Sequence, residues 1–166
     1  SSLQFIRQKH FTHHTTPKLA PICGAEVGVD RGKHALQILN YLNIKKLYLI
    51  DPWERYTDHG IEGFPDHDSD EIYKLVKNMF SCYENVEIIR DKSVGASKLV
   101  EDSTLDFVYI DGNHEYEHVL ADLQAWYPKL KSDGVLCGDD FGAPSSVGLI
   151  RAVTEFAYQN RLLVFS

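Results

Sequence analysis

Apolar positions follow two alternating patterns from Pro21 onward. Short continuous apolar runs are typical of strands buried on both faces, and apolar spacing at i, i+3, i+4 and i+7 is typical of amphipathic helices. The runs predict strands at 22–29, 46–50, 86–90, 105–110, 135–138 and 162–166. The helical spacing predicts helices over 32–42, 72–79, 97–103, 119–130 and 150–157.

This alternation predicts a Rossmann-like α/β fold, in which a doubly wound, mostly parallel sheet carries helices on both faces. Residues 21–166 are expected to form that domain. Residues 1–20 show no periodicity and are expected to form a loosely packed N-terminal arm. The polar, Gly- and Pro-interrupted stretch 54–69 predicts a long loop, with His59 and His67 solvated on it.

The candidate functional residues lie where the predicted strands end. Ligands of doubly wound sheets bind outside the carboxyl ends of the strands. That edge carries Glu26 to Gly32, Asp51, Asp91 to Ser93, Asp111 to His114, and Asp139-Asp140. Acidic residues are common in loops, so the individual motifs have to decide the function.

Composition narrows the set of partners. The net charge of −7, without a basic stripe, argues against nucleic acid. No apolar run approaches the roughly 20 residues of a membrane helix. Three cysteines without a Cys-x-x-Cys motif indicate free thiols, buried at Cys23 and Cys137, in a reducing compartment. We therefore expect a cytoplasmic protein that acts on a small molecule, and the composition leaves a homo-oligomer open.

The phrase Gly-Asn-His-Glu at 112–115 is one that metallophosphoesterases use to place Asn and His on two metal ions. Such an enzyme also needs an early acid–histidine motif at a strand end and a later histidine motif. Here the early candidate, Asp66-His67-Asp68, lies in the predicted loop, and no histidine follows His118. Two-metal hydrolysis needs imidazoles as well as carboxylates around both cations. The order of the motifs argues against this activity.

Gly28 and Gly32 lie at the turn from the first strand into the first helix. Glycine there permits a tight turn and close approach of the backbone to a ligand. The full Gly-x-Gly-x-x-Gly of pyrophosphate-binding loops is absent, which argues against an NAD-dependent oxidoreductase. Asp51 closes the second strand, where an acid can accept hydrogen bonds from both ribose hydroxyls. The combination predicts an adenosine site.

Four stretches together resemble a known family. They are Glu-Val-Gly-x-x-x-Gly at 26–32, Leu-Ile-Asp-Pro-Trp at 49–53, the segment 105–123 that contains Ile-Asp-Gly-Asn-His-Glu, and Gly-Val-Leu-Cys-Gly-Asp-Asp-Phe at 134–141. They are similar to class I S-adenosylmethionine-dependent methyltransferases. Within that class, the chain resembles the small metal-dependent O-methyltransferases of the macrocin type and the catechol type. The resemblance covers roughly residues 22–160.

The resemblance implies that S-adenosylmethionine is the cofactor. Residues that it places at the cofactor are Glu26, Gly28, Gly32, Asp51 and Asp111, with Asp91 or Ser93 near the adenine.

The resemblance also assigns Asp111, Asp139 and Asp140 to a divalent cation. Converging carboxylates repel one another unless a cation neutralises them or one takes up a proton. All-oxygen donors favour Mg²⁺, with Mn²⁺ or Ca²⁺ as alternatives. The competing interpretation is that Asp139 or Asp140 caps the next segment and that Asp111 only touches the cofactor.

His114 lies three residues past Asp111, where the catechol-type relatives carry a lysine as base. An imidazole with an ordinary pKa of about 6.5 can take a hydroxyl proton at neutral pH. His114 is therefore the candidate catalytic residue, with a solvated loop histidine as the alternative. The predicted function is metal-assisted O-methylation of a small-molecule hydroxyl, and the alternative is a non-catalytic nucleoside-binding domain.

The family's sheet ends in an antiparallel hairpin of strands six and seven, whereas this sequence ends within the predicted strand six. We therefore expect an incomplete C-terminal hairpin. Either C-terminal residues are missing, or a partner or the N-terminal arm supplies that edge.

Overall fold

The computed structural model describes residues 4–7, 20–54, 56–58, 61–63, 69–141 and 146–165. The strands are β1 (Gln4–Arg7), β2 (Ile22–Val27), β3 (Ile44–Ile50), β4 (Tyr56–Asp58), β5 (Ile61–Gly63), β6 (Val86–Ile89), β7 (Leu105–Ile110), β8 (Leu130–Gly138) and β9 (Leu163–Phe165). The helices are α1 (Lys33–Tyr41), α2 (Ser69–Met79), α3 (Ser93–Ser97), α4 (Tyr116–Trp126) and α5 (Val147–Asn160), with a 3₁₀ turn over Tyr127–Lys129.

Seven strands form one sheet in the order β6-β3-β2-β7-β8-β1-β9. The first five of these are parallel to one another. The strand order runs outward from β2 in both directions, and this reversal places a crevice between the carboxyl ends of β2 and β7. The predicted Rossmann-like, doubly wound α/β fold is confirmed.

The core has two layers, one on each face of the sheet. Side chains of α1 and α2 pack on one face, and side chains of α3, α4 and α5 pack on the other. Strand β3 contributes to both layers, because successive residues point to opposite faces. Leu47 and Leu49 join the first layer, and Ile50 joins the second.

The N-terminal segment supplies the edge that the sequence leaves open. Strand β1 lies between β8 and β9 and is antiparallel to both, with Ile6 opposite Leu136 and Val164. Residues 4–7, which the sequence predicts to belong to a loosely packed arm, are therefore part of the sheet. Strand β9 joins the sheet through β1.

Strand β8 begins at Leu130, five residues before the predicted start at Val135. Leu130 pairs with Leu105 and is 7% exposed, so burial and strand pairing override the helical spacing and the turn-like residues 132–134. The preceding helix accordingly ends at Trp126.

Two further segments differ from the prediction. Helix α3 covers Ser93–Ser97, so Ser97 ends a helix that the sequence predicts it to begin, and its hydroxyl donates a hydrogen bond to the carbonyl of Val94 at 3.0 Å. The predicted loop at 54–69 contains a short antiparallel ladder between β4 and β5. Among the described residues, we find no helix that is both long enough and apolar enough to cross a membrane.

Candidate active site at the carboxyl ends of the strands

The loop between β2 and α1 depends on two glycines in the left-handed region, Gly28 (φ 91°) and Gly32 (φ 75°). A Cβ at position 28 would overlap the backbone carbonyl of Asp111, whose own N–H donates to the carbonyl of Val27 at 2.8 Å. The close approach that Gly28 permits is thus to the end of the neighbouring strand β7. This contact fixes the width of the crevice between the two strand ends.

Asp51, at the end of β3, is bonded to the same loop. Its Oδ2 accepts hydrogen bonds from the backbone N–H groups of Val29 and Asp30, each at 3.0 Å. Its Oδ1 accepts one from the N–H of Trp53 at 2.7 Å. Burial raises the pKa of Asp51, and the three backbone donors oppose that shift. The acid predicted to hold a ribose therefore also organises the loop.

Glu26 lies near the end of β2 and is only 1% exposed. Its Oε1 lies 3.1 Å from Nδ1 of His34 on α1, and the His34 ring packs against that of Tyr109 with centroids 4.1 Å apart and planes tilted by 33°. Burial raises the pKa of Glu26, and the hydrogen bond to Glu26 raises the pKa of His34. Within the described residues, Oε2 of Glu26 has no hydrogen-bond partner. A buried carboxylate oxygen without a partner is costly, which marks it as a position for a ligand.

His34 was missed by the sequence analysis. Its only signal is its place in the first turn of α1, eight residues after Glu26, where the side chain can reach back to β2. A first-turn histidine is too common to single out without the sheet register.

A second set of side chains, which we call the carboxylate–histidine group, lies at the ends of β7 and β8 and consists of Asp111, His114 and Asp140. Carboxylate oxygens of Asp111 and Asp140 and a ring nitrogen of His114 all lie within 4.8 Å of one another. Nε2 of His114 lies 3.7 Å from Oδ1 of Asp111 and 3.4 Å from Oδ2 of Asp140. Asp139 is not in this group, and its Oδ1 accepts a hydrogen bond from the N–H of Asp140 at 2.9 Å. The group therefore contains two of the three predicted carboxylates, with the imidazole in the third place.

The two residues predicted near the adenine lie at the end of β6 and the start of α3. Asp91 is exposed, and its Oδ1 accepts a hydrogen bond from the N–H of Lys92 at 2.7 Å. The hydroxyl of Ser93 accepts a hydrogen bond from Nε1 of Trp126 at 2.8 Å. Ser93 thus connects α3 to α4, a structural role alongside the predicted one.

Asp122, on the inner face of α4, was also missed. It is 7% exposed, and burial raises its pKa from 3.8 to about 6, against the effect of a hydrogen bond with Ser93. The sequence signal is an acid between Val119, Leu123 and Trp126 on the apolar side of a helix. His59, His67 and the Asp66–Asp68 motif lie outside the described residues.

A cavity of about 50 Å³ opens beside the second group, between the sheet and the two helices α4 and α5. Its polar end is formed by Asn113, His114 and Asp139. Its walls are mainly apolar and include Val119, Leu123, Leu136, Phe141, Leu149 and Val153. An apolar chemical group could therefore occupy a position next to His114.

A family model described as a methyltransferase domain matches residues 25–141, more than half of the chain. The chain belongs to this methyltransferase family. The matched span includes the loop between β2 and α1 (the glycine loop), Asp51, the carboxylate–histidine group and Asp122. The resemblance to class I S-adenosylmethionine-dependent methyltransferases is thus confirmed at the level of the class.

Solved structures share the fold of this methyltransferase domain. Spermidine synthase from Thermotoga maritima superposes with a TM-score of 0.60 at 16% identity, over 84% of this chain and 45% of that chain. Precorrin-6y C5,15-methyltransferase from Geobacter metallireducens gives a TM-score of 0.59 at 13% identity, over 84% and 62% respectively. Since one of these proteins is named for a different reaction, the fold alone does not determine the chemistry.

An uncharacterized protein of Sinorhizobium fredii is 29% identical over 126 residues, which is 69% of this chain and 13% of that protein. The methyltransferase domain therefore spans about an eighth of the length of this curated relative and less than two thirds of the two solved structures named above.

Proposed function

We propose that this methyltransferase domain transfers the methyl group of S-adenosylmethionine to a hydroxyl oxygen of a small molecule. The observation that carries the proposal is the juxtaposition of two groups across the β2–β7 crevice. On one side lie the glycine loop, Asp51 and the open carboxylate oxygen of Glu26. On the other lie His114 and its two carboxylates.

The first group suits the cofactor. S-adenosylmethionine carries two positive charges, on its sulfonium and its α-ammonium, and buried carboxylates favour cations. An ionised carboxylate offers about four acceptor positions, and backbone donors already take three on Asp51. We therefore expect Asp51 to accept a hydrogen bond from one ribose hydroxyl, not from both. Gly28, Gly32, Asp111, Asp91 and Ser93 stay predicted cofactor contacts.

The second group suits proton removal from the acceptor. As the acceptor oxygen attacks the methyl carbon, the O–CH₃ bond forms, the C–S bond breaks and S-adenosylhomocysteine leaves. The hydroxyl proton passes to Nε2 of His114, and Asp111 and Asp140, at 3.7 and 3.4 Å, stabilise the resulting imidazolium. Alignment of the oxygen with the sulfonium methyl supplies much of the rate.

A divalent cation also fits this group. Two carboxylates and an imidazole within 4.8 Å match the donor preferences of Mn²⁺, Fe²⁺ or Zn²⁺ better than those of Mg²⁺, whose sites are built from oxygen. When bound, such a cation would acidify the acceptor hydroxyl. Its ligands would be Asp111, Asp140 and His114, and Nε2 of His114 would then be occupied. The base and ligand roles of His114 therefore exclude each other, and we favour the base.

The cavity supports an acceptor with a small apolar group. Its polar end includes His114, so a bound acceptor could present its hydroxyl there and place the apolar group between α4 and α5. Filling the cavity by Val153→Phe should weaken acceptor binding and leave S-adenosylhomocysteine binding unchanged.

The test is transfer of a tritiated methyl group from S-adenosylmethionine to a panel of small alcohols and phenols, with EDTA or with added Mn²⁺ or Mg²⁺. The proposal predicts transfer in EDTA and a loss of roughly 10²–10⁴-fold in His114→Ala, with S-adenosylhomocysteine binding intact. Transfer that requires Mn²⁺ would assign His114 to the metal. Cofactor binding without transfer to any acceptor would favour the non-catalytic binding domain.

A further inference from the structure

We infer that Trp53 is a positioning residue for the cofactor, which holds the β2–α1 loop in the conformation that binds S-adenosylmethionine. Within the described part of the chain, Trp53 bonds to Asp30 and Asp51 and packs on Tyr73, so it acts on the cofactor through Asp30 and Asp51. The inference rests on the proposed function, because it assumes that this loop holds the cofactor.

The observation is a closed ring of hydrogen bonds between the ends of β2 and β3. Nε1 of Trp53 donates to the backbone carbonyl of Asp30 at 2.9 Å. The backbone N–H of Trp53 donates to Oδ1 of Asp51 at 2.7 Å. Oδ2 of Asp51 accepts from the N–H groups of Val29 and Asp30, each at 3.0 Å. The Asp51 carboxylate thus binds two N–H groups of the loop, and the Trp53 indole binds one of its carbonyls.

The backbone on both sides of this ring is strained. Asp30 (φ 47°) and Trp53 (φ 45°) are both in the left-handed region, which side-chain-bearing residues rarely adopt. Such conformations persist only where surrounding contacts impose them, and they cluster at ligand sites. Here the ring of hydrogen bonds imposes both of them.

The indole is itself held firmly. Trp53 is 5% exposed and belongs to the core layer that includes Val29 and Val76. Its ring centroid lies 5.1 Å from that of Tyr73 on α2, and the Arg90 guanidinium lies 4.7 Å from the Tyr73 ring. Because Trp53 is fixed in the core and donates a hydrogen bond to Asp30, an exposed loop residue, it restrains the conformation of the loop. Packing alone would require neither the bond to Asp30 nor the strained backbone.

The experiment removes the indole N–H without changing the shape of the side chain. Trp53 is replaced by β-(3-benzothienyl)alanine, in which sulfur stands in place of the N–H, and separately by Trp53→Phe. Calorimetry measures the Kd for S-adenosylhomocysteine, and methyl-transfer assays measure kcat and the KM for S-adenosylmethionine. Phe156→Leu, in the core layer on the other face of the sheet, controls for a general loss of stability.

The isostere should raise Kd and KM about five- to tenfold and leave kcat within about twofold, as expected for one lost hydrogen bond that positions the ligand site. Phe156→Leu should lower the melting temperature without changing Kd. Asp30→Gly, which removes the penalty of the left-handed backbone, should restore most of the affinity in the Trp53→Phe background.

An isostere that binds S-adenosylhomocysteine as tightly as the wild type would overturn the inference and leave the proposed function intact. If the Trp53 variants and Phe156→Leu all lose affinity in proportion to their loss of melting temperature, and Asp30→Gly does not restore it, the role of Trp53 is purely structural. That result would also overturn the inference. Failure of the wild type itself to bind S-adenosylhomocysteine would instead refute the proposed function.

Discussion

Gly28 and Asp111 meet backbone to backbone at the centre of the sheet, where a Cβ on residue 28 would overlap the carbonyl oxygen of Asp111. Gly28 also has a φ of 91°, which side-chain-bearing residues rarely adopt. The position therefore excludes a side chain for two independent reasons, and the same contact joins the β2–α1 loop to the strand end that carries Asp111 and His114.

Gly28→Ala should consequently lower the free energy of unfolding by about 2–4 kcal/mol and abolish S-adenosylhomocysteine binding, because the two strand ends must move apart. Gly112→Ala is the matched control, since a Cβ there would meet its nearest neighbour, Oδ2 of Asp122, at 3.8 Å. Urea unfolding and calorimetry on both variants check this. Equal stability of the two variants would contradict the backbone contact.

Asp51 is expected to bind the ribose in addition to organising the loop. Asp51→Ala should weaken S-adenosylhomocysteine binding tenfold or more. Because that substitution also releases the loop, the ribose contact needs a ligand with one hydroxyl removed. Wild type should discriminate against 2′-deoxy- or 3′-deoxy-S-adenosylhomocysteine, and Asp51→Ala should lose that discrimination. Undiminished discrimination in the variant would restrict Asp51 to the loop.

Asp122 predicts a pH dependence of stability. Burial raises its pKa from 3.8 to about 6, so the folded state holds its proton more tightly than the unfolded state. Ionising this buried carboxyl therefore lowers the free energy of unfolding. The loss is absent below about pH 4, grows as the pH rises through 6, and reaches on the order of 3 kcal/mol. Asp122→Asn should be more stable than wild type at pH 8 and equal to it near pH 4. Urea unfolding at both pH values measures this, and a difference independent of pH would rule out ionisation of Asp122 as its cause.

Strand β1 predicts that the N-terminal segment is needed for stability. Ile6→Pro removes a backbone N–H from the ladder between β8 and β9 and should lower the melting temperature by several degrees. Ile6→Thr keeps the N–H and a strong strand former and should be tolerated far better. Similar melting temperatures for the two variants would argue against the pairing.

Much of the fold could be predicted because its signals are local. Continuous apolar runs mark the five parallel strands, and the glycines and Asp51 fall at strand ends in the predicted order. Strand β1 could not be placed, since nothing within four residues specifies two distant antiparallel partners. The start of β8 at Leu130 could not be predicted from the sequence for the same reason, because it depends on pairing with Leu105, which is distant in the chain.

For the candidate site, the sequence predicts which strand ends carry the acidic residues, but not which individual side chains meet there. Asp139 and Asp140 are adjacent in the sequence, yet only Asp140 joins Asp111 and His114. Asp140 has a left-handed backbone (φ 60°) and donates its N–H to Asp139, and neither feature has a sequence signal. The His34–Glu26 pair likewise depends on the packing of α1 on β2.

Calorimetric titration of the wild-type protein tests whether this methyltransferase domain binds S-adenosylmethionine, for which we propose the β2–β7 crevice. We predict binding of one molecule of S-adenosylhomocysteine per chain with a Kd in the micromolar range, about −8 kcal/mol, competitive with S-adenosylmethionine. NAD⁺ should give no binding heat, because the loop lacks the full Gly-x-Gly-x-x-Gly sequence of pyrophosphate-binding loops. Binding of NAD⁺ but not of S-adenosylhomocysteine at millimolar concentration would contradict the account.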